Sequence, residues 1–307
     1  MANTTILLAG ATGMLGSKIA RALLAKPDVE LRLLVRGVEA ADPKRQPGVD
    51  DLAEKGALVV EADLANSQAL RAATRGANVV VSAVNGDREI IVDGQTNLLE
   101  AAKANGVRRF IPSDFAIDIY KLEPGDNYNL DLRRTFAARL DESGLERAHV
   151  LIGCFTEVLF GPYLGIFDLE AGTCAYWGDG DTRFDATTTD DTALYVAEAA
   201  LDPQAPRKFA VAGDQLSMRQ AVAAYEAATG TRLNACSLGS VTELERRIGE
   251  MKARDPNPQP YLPLQYQHGM VSGRGKLTDL VNARYPHIQP LDVLGYCKRA
   301  FAPESPR

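Results

Sequence analysis

Ile6-Leu7-Leu8-Ala9-Gly10-Ala11-Thr12-Gly13-Met14-Leu15-Gly16 is the stretch that decides the fold of this chain. An apolar run ends on a glycine, two more glycines follow at three-residue steps, and a helical pattern begins. A strand–turn–helix phosphate cradle needs that arrangement. Gly10 permits the tight turn, Gly13 lets backbone approach a pyrophosphate, and Gly16 lets helix and strand pack closely. The helix then points its first N–H groups and its positive dipole end at the phosphates. Thr12, Met14 and Leu15 complete the expected cradle.

In a chain with 26 glycines the triplet alone is weak evidence, and its context decides. Met14, Leu15, Ile19, Leu23 and Leu24 recur at helical spacing behind the glycines. A second apolar run, 31–35, follows at the distance a strand–helix–strand unit requires. An NAD-binding unit usually places an acid at the end of that second strand, where it bonds the ribose 2′-OH. Arg36 stands there instead. A guanidinium suits a 2′-phosphate by charge and by fork geometry. Lys44 and Arg45 lie a few residues on and extend the basic pocket. The spacing therefore predicts NADP(H) rather than NAD(H).

Composition narrows the classes. At 307 residues the chain fits one large or two modest domains. Its apolar fraction of 46% and charged fraction of 24% are those of a globular protein. A net charge of −6 without a long basic block argues against nucleic acid as partner. The N-terminus lacks a basic flank and is broken by glycine within ten residues, so neither a signal peptide nor a membrane span is expected. Cys154, Cys174, Cys236 and Cys297 are far apart, with no C-x-x-C pair, which points to reduced thiols and a cytoplasmic setting. His149, His268 and His287 have no metal-ligand spacing, so no metal is expected. His149 opens an apolar run and reads as structural.

The first 155 residues alternate regularly. Strands are expected at 5–9, 31–35, 57–61, 78–82, 109–112 and 149–153, and helices at 13–24, 50–55, 67–74, 89–105 and 131–143. Asn66 is placed to cap the third helix. Nearly continuous apolar strands alternating with helices imply an α/β fold, a doubly wound parallel sheet of Rossmann type covered on both faces. The expected division is a dinucleotide-binding domain over 1–155 and a smaller substrate-binding region over 156–307, some of whose segments return to the sheet. In that second half Asp179-Gly180-Asp181 reads as a turn, and Thr187 to Asp191 as caps for a helix over 193–200. A strand is expected at 209–212 and helices at 217–229 and 241–253. The Pro-rich run 255–260 is a loop, followed by the aromatic-rich segment 261–270.

A ligand belongs at the carboxyl ends of such strands, near the switch in strand order. Asp63 ends the third strand and borders the adenine. Ser82, Ala83 and Val84 end the fourth and wall the ribose and phosphate on the nicotinamide side. Ser113-Asp114-Phe115 ends the fifth strand, and Cys154-Phe155 the sixth. Together they line one crevice if the strand order is as supposed.

These motifs resemble a known group. Gly10 to Gly16, Leu34-Val35-Arg36, Arg109-Phe110-Ile111-Pro112-Ser113-Asp114-Phe115 and segment 127–140 look like the isoflavone reductase-like and NmrA-like atypical short-chain dehydrogenases. The likeness recurs in Tyr176-Trp177-Gly178-Asp179-Gly180 and Gln267-His268-Gly269. The resemblance implies an NADP(H)-binding Rossmann domain, a smaller substrate domain, and hydride delivery to a phenylpropanoid-type or lignan-like aromatic molecule. It implies a catalytic lysine on the helix after the Ser-Asp-Phe motif, at the position that holds Arg133 here. An arginine effectively keeps its proton, so Arg133 is expected to act electrostatically.

The Tyr-x-x-x-Lys pair of short-chain dehydrogenases is absent, since Leu132 stands four residues after Tyr128. Candidate proton donors are Tyr120, Tyr128, Asp114, Asp118 and His268, or solvent. Phe115, Phe155, Phe160, Tyr128 and Tyr261 would make the pocket apolar, with Tyr120, Phe160, Tyr261 and His268 taken as substrate residues. The partner is a small aromatic molecule, and a homodimer is compatible with this reading. The alternative is an NmrA-like regulator that binds NADP(H) and senses its redox state without turnover, which the arginine at position 133 favours.

Overall fold

The computed structural model of the chain describes residues 4–36 and 47–302. It resolves into two compact units. The first comprises Met1–Asp114, Leu132–Val150 and Thr192–Phe209, and the second Phe115–Asp131, Leu151–Asp191 and Ala210–Arg307.

Strands and helices alternate through the first unit: β1 (Thr4–Ala9), α1 (Met14–Leu24), β2 (Val29–Val35), α2 (Pro47–Glu54), β3 (Leu58–Glu61), α3 (Ser67–Ala73) and β4 (Val79–Ser82). A π-helical turn, Glu89–Gly94, then leads into α4 (Gln95–Ala104), β5 (Arg109–Ile111), α5 (Tyr128–Glu142) and β6 (Glu146–Arg147). The six strands form one sheet in the order 3-2-1-4-5-6, and every neighbouring pair is parallel. That order is the one of doubly wound Rossmann sheets, and the parallel pairing is the one expected from the alternation.

Ile6, Leu7 and Leu8 have no solvent exposure. Successive strand residues point to opposite faces, so consecutive buried residues require both faces to be covered. Leu7 and Ala9 pack with Leu70, Leu98, Phe110, Phe136 and Leu140. Helix α1 lies against β1 and β2. Truncating a leucine in such a layer costs about 2–5 kcal/mol. Asn66 caps α3 as expected, its Oδ1 accepting from the N–H of Ala69 at 3.0 Å.

The sixth strand corrects the expectation over 149–153. It is Glu146–Arg147, with Glu146 opposite Arg109 and Arg147 opposite Phe110. The chain then leaves β5. His149 turns its N–H to the carbonyl of Arg207, 2.7 Å away, and His149–Leu151 forms a separate strand.

The two compact units are each discontinuous in sequence. Thr192–Phe209 returns to the first unit while Phe115–Asp131 belongs to the second. Arg109 shows what holds the returning segment. Its buried guanidinium donates to the carbonyls of Ala199, at 2.8 Å, and Asp202, at the end of helix Thr189–Leu201. A cation at helix-terminal carbonyls satisfies groups that would otherwise lack partners. Lys26 adds an ion pair to Glu198 at 2.6 Å.

The second unit contains two three-stranded sheets. One joins Asn234–Ser237, Thr173–Tyr176 and Phe167–Asp168, and the other Asp214–Leu216, Phe184–Thr187 and Cys154–Phe155. Helices Met218–Thr229 and Val241–Arg254 both open with capping boxes, Ser217 with Gln220 and Ser240 with Glu243. The Pro-rich loop leads into helix Leu262–Val271, for which the aromatic pattern carried no signal. Pro263 sits in its first turn, where the missing N–H costs nothing. The turn at Asp179 is as expected: its carboxylate accepts from the N–H groups of Asp181 and Thr182, which hold it below its usual range.

Candidate functional site

The glycine turn lies at the carboxyl end of β1, where β1 meets β4. Ala9 pairs with Ser82, and the N–H of Ala83 donates to the carbonyl of Ala9 at 2.9 Å. Gly10 has φ +84°, a left-handed conformation that favours glycine. A Cβ there would lie 2.5 Å from the carbonyl oxygen of Ala83. The N–H of Gly13 closes the turn on Gly10 at 3.0 Å. At Gly16 an added Cβ would approach the Gly10 oxygen to 2.0 Å, so helix and turn are in direct backbone contact. At Gly13 it would meet only that oxygen, at 3.4 Å. The side of the turn that would face a phosphate is therefore open backbone. Thr12, Gly13 and Met14 are exposed, while Leu15 and Gly16 are buried against the sheet. Gly13 caps α1 without any side-chain hydrogen bond, leaving the first turn to a ligand. A dinucleotide pyrophosphate fits this cradle.

Arg36 follows β2 directly and is exposed. Among the described residues no hydrogen bond or ion pair engages its guanidinium. Lys44, the second expected phosphate ligand, lies outside the described residues. Asp63 is exposed after β3, but its Oδ1 accepts from the N–H of Ala65 at 2.7 Å and turns the chain into α3.

At the ends of β4 and β5 polar groups gather. The Ser82 hydroxyl is buried with no hydrogen-bond partner among the described residues. Ala83 and Val84 are half-buried. Ser113 donates its hydroxyl to the Val84 carbonyl at 2.6 Å. The N–H of Ser113 reaches Oε1 of buried Gln95 at 3.2 Å, while Nε2 of the same side chain donates to Ile91 O at 2.7 Å. Asn85, just beyond Val84, accepts from Arg133 at 3.4 Å. The structure therefore brings Arg133 to the carboxyl end of β4.

Asp114 turns away from this edge. Its Oδ2 lies 2.6 Å from Nδ1 of His149, and both side chains are 1% exposed. Nε2 of His149 faces Oδ1 of Asp141 at 3.6 Å. Asp141 also accepts from Arg147 and Arg207. Burial raises its pKa, but the two arginine hydrogen bonds and the neighbouring imidazole together hold it below the usual carboxylate range. Sequence reasoning missed Gln95, Asp141 and the role of His149. No local pattern marks them, because their partners are 18 to 35 residues away or belong to another element.

The remaining expected residues lie in the second unit. Tyr120 and Tyr128 are exposed; their backbone N–H groups donate to Asp118 and Gln265. Phe115 and Phe155 are half-buried. Cys154 is buried, and burial, reinforced by Glu157, pushes its thiol up to about 12, so it stays protonated. Phe160 sits in an aromatic cluster with Phe167, Tyr225, Tyr296 and Phe301, a packing position rather than an open wall. Tyr261 is buried at the start of helix Leu262–Val271. His268 is buried on that helix and pairs with Glu245 at 2.9 Å. A cavity of about 470 Å³ also opens in this unit, lined by Gly178, Asp179, Thr182, Ser237, Gly239, Ser240 and Val241. None of the expected site residues lines it.

Comparison with known proteins follows the same lines. A model of the NmrA-like family matches residues 2–255. The isoflavone reductase homolog P3 of Arabidopsis thaliana is 29% identical over 244 residues, spanning 74% of this chain and 76% of that protein. The bifunctional pinoresinol-lariciresinol reductase of Forsythia intermedia is 27% identical over 332 aligned positions, spanning 97% and 99%. Among solved structures, the binary complex of leucoanthocyanidin reductase with NADPH from Vitis vinifera superposes with a TM-score of 0.82 at 22% identity, covering 96% of this chain and 98% of that one. AtPrR2 with NADP+ and (+)pinoresinol gives 0.82 at 23%, covering 97% and 99%. These superpositions establish the shared fold.

Proposed function

The chain belongs to the NmrA-like family, and on that premise we propose that it is an NADP(H)-dependent oxidoreductase that reduces a small aromatic molecule. One observation carries the cofactor: a glycine turn at the β1/β4 switch point, open at Gly13, with Arg36, unengaged among the described residues, directly after β2. The names of the relatives support reduction of phenylpropanoid-type or lignan-like compounds. The substrate itself is proposed at the level of chemical class.

Each residue has a role in this reading. Gly10, Gly13 and Gly16, with Thr12, Met14 and Leu15, hold the pyrophosphate through backbone N–H groups. Arg36 holds the 2′-phosphate through its planar fork, joined by Lys44. Asp63 borders the adenine. Ser82, Ala83, Val84 and Ser113 border the nicotinamide half. Bound NADPH supplies the hydride, which leaves the protein to position, desolvate and stabilise charge. Arg133 stabilises negative charge developing on a substrate oxygen through its guanidinium. Tyr128 is the proton donor we assign, and Tyr120, Tyr261 and His268 shape the substrate site.

A second reading, favoured by an arginine where the family's reductases carry a lysine, is a regulator that binds NADP(H) without turnover. Mixing the purified protein with NADPH and a panel of aromatic ketones, ethers and enones decides between them. NADPH oxidation with an identified reduced product is expected. Tight NADPH binding with no oxidation across the panel overturns the reductase and supports the sensor.

A further inference from the structure

We propose that the cluster Asp114–His149–Asp141 is a positioning device that sets the carboxyl end of β5 for the nicotinamide half of the cofactor. The inference rests on the NADP(H) reading and adds three residues that touch one another rather than the ligand.

The geometry begins with an imidazole between two carboxylates. Nδ1 of His149 meets Asp114 at 2.6 Å, and Nε2 faces Asp141 at 3.6 Å. Asp114 is buried, and a buried carboxylate without a partner is strongly destabilising. His149 connects it to Asp141, which is a quarter exposed and held by Arg147 and Arg207. The Asp114 side chain is thus pinned inward from the strand end by His149, whose far edge stands 3.6 Å from Asp141.

That pinning reaches the cradle through consecutive contacts. Ser113, next to Asp114, is fixed twice more, by Gln95 at its N–H and by the Val84 carbonyl at its hydroxyl. Val84 follows Ala83, whose carbonyl carbon and oxygen abut Gly10. Three side-chain contacts therefore converge on Ser113 and Asp114, just beyond the end of β5. Stability alone does not call for this arrangement, because apolar residues of similar volume fill a core at least as well as a buried ionic network. Accurate placement of a strand end does call for it. In a 3-2-1-4-5-6 sheet, the half formed by β4, β5 and β6 takes the second nucleotide, which in NADP(H) carries the nicotinamide.

The test separates the two halves of the cofactor. Binding of NADP+ and of adenosine 2′,5′-bisphosphate, which lacks the nicotinamide half, is measured by calorimetry on wild type, His149→Leu and His149→Asn. His149→Leu is expected to weaken NADP+ about tenfold, the scale of one lost charge-assisted hydrogen bond, and to leave the bisphosphate unchanged. His149→Asn keeps an N–H near Nδ1 and is expected to bind NADP+ within about twofold of wild type. If His149→Leu does not fold, Asp114→Asn removes the buried charge and supplies the same comparison, with the same selective loss expected. Unchanged affinity for both ligands, or an equal loss for both, overturns the positioning role while leaving the cofactor reading intact. A wild-type protein that binds neither ligand overturns both.

Discussion

A Cβ placed on Gly16 would come within 2.0 Å of the carbonyl oxygen of Gly10. The contact is backbone to backbone, so no side-chain rotation relieves it. The first turn of α1 is thereby held against the turn that ends β1, and the helix N-terminus is aimed from there. Gly16→Ala is expected to destabilise the fold by about 1–3 kcal/mol, the scale of overpacking, and to abolish measurable NADPH binding. Urea unfolding and NADPH fluorescence titration check the two effects. A variant as stable as wild type with unaltered affinity contradicts the close-packing account.

On the proposed reading, Arg36 decides between phosphate and hydroxyl on the adenosine ribose. Arg36→Ala is expected to raise the NADPH dissociation constant about tenfold or more and to leave the weaker NADH binding within about twofold. Titration of both cofactors into both proteins measures the change in preference. Equal NADPH affinity in the two proteins removes Arg36 from the 2′-phosphate site.

Arg133 reaches Asn85 at the end of β4. As an electrostatic stabiliser it is expected to affect turnover more than cofactor affinity. Arg133→Ala should lower kcat about a hundredfold on the best substrate of the panel while NADPH affinity changes little. Unchanged turnover removes the proposed role.

Asp141 makes acid stability a direct readout of the network around His149. Its carboxyl is held below its ordinary range in the folded protein. A carboxylate lowered on folding adds stability that is fully present above its unfolded pKa, near ~3.9, and is lost as pH falls through the lower folded value. The stability difference between wild type and Asp141→Asn should therefore be constant above about pH 5 and shrink below about pH 4. Chemical unfolding at a series of pH values measures it. A difference independent of pH contradicts the assignment.

Much of the fold could be read directly from local pattern. The glycine spacing, the apolar strands and the helical periodicity behind Gly16 are signals carried within a few residues, and the parallel sheet follows from their alternation. Asn66 and Asp179 were legible for the same reason, since caps and turns close on residues two or three positions away. The sixth strand was not legible. An apolar run over 149–153 cannot reveal that His149 bonds to Arg207 and that β5 takes Glu146–Arg147 instead. Phe160 read as a pocket wall because aromatics suit pockets and cores alike, and only its neighbours Phe167 and Tyr225 identify it as packing.

The sequence by itself determined the family, the Rossmann sheet and the place of the glycine turn, because each depends on short-range motifs and backbone conformation. Tertiary structure alone decided that Gln95 holds Ser113, that Arg133 reaches the end of β4, and that His149 joins Asp114 to Asp141. Those relationships join residues 8 to 48 positions apart. A buried charge finds its partner across the packed interior, and local patterning leaves no trace of that choice.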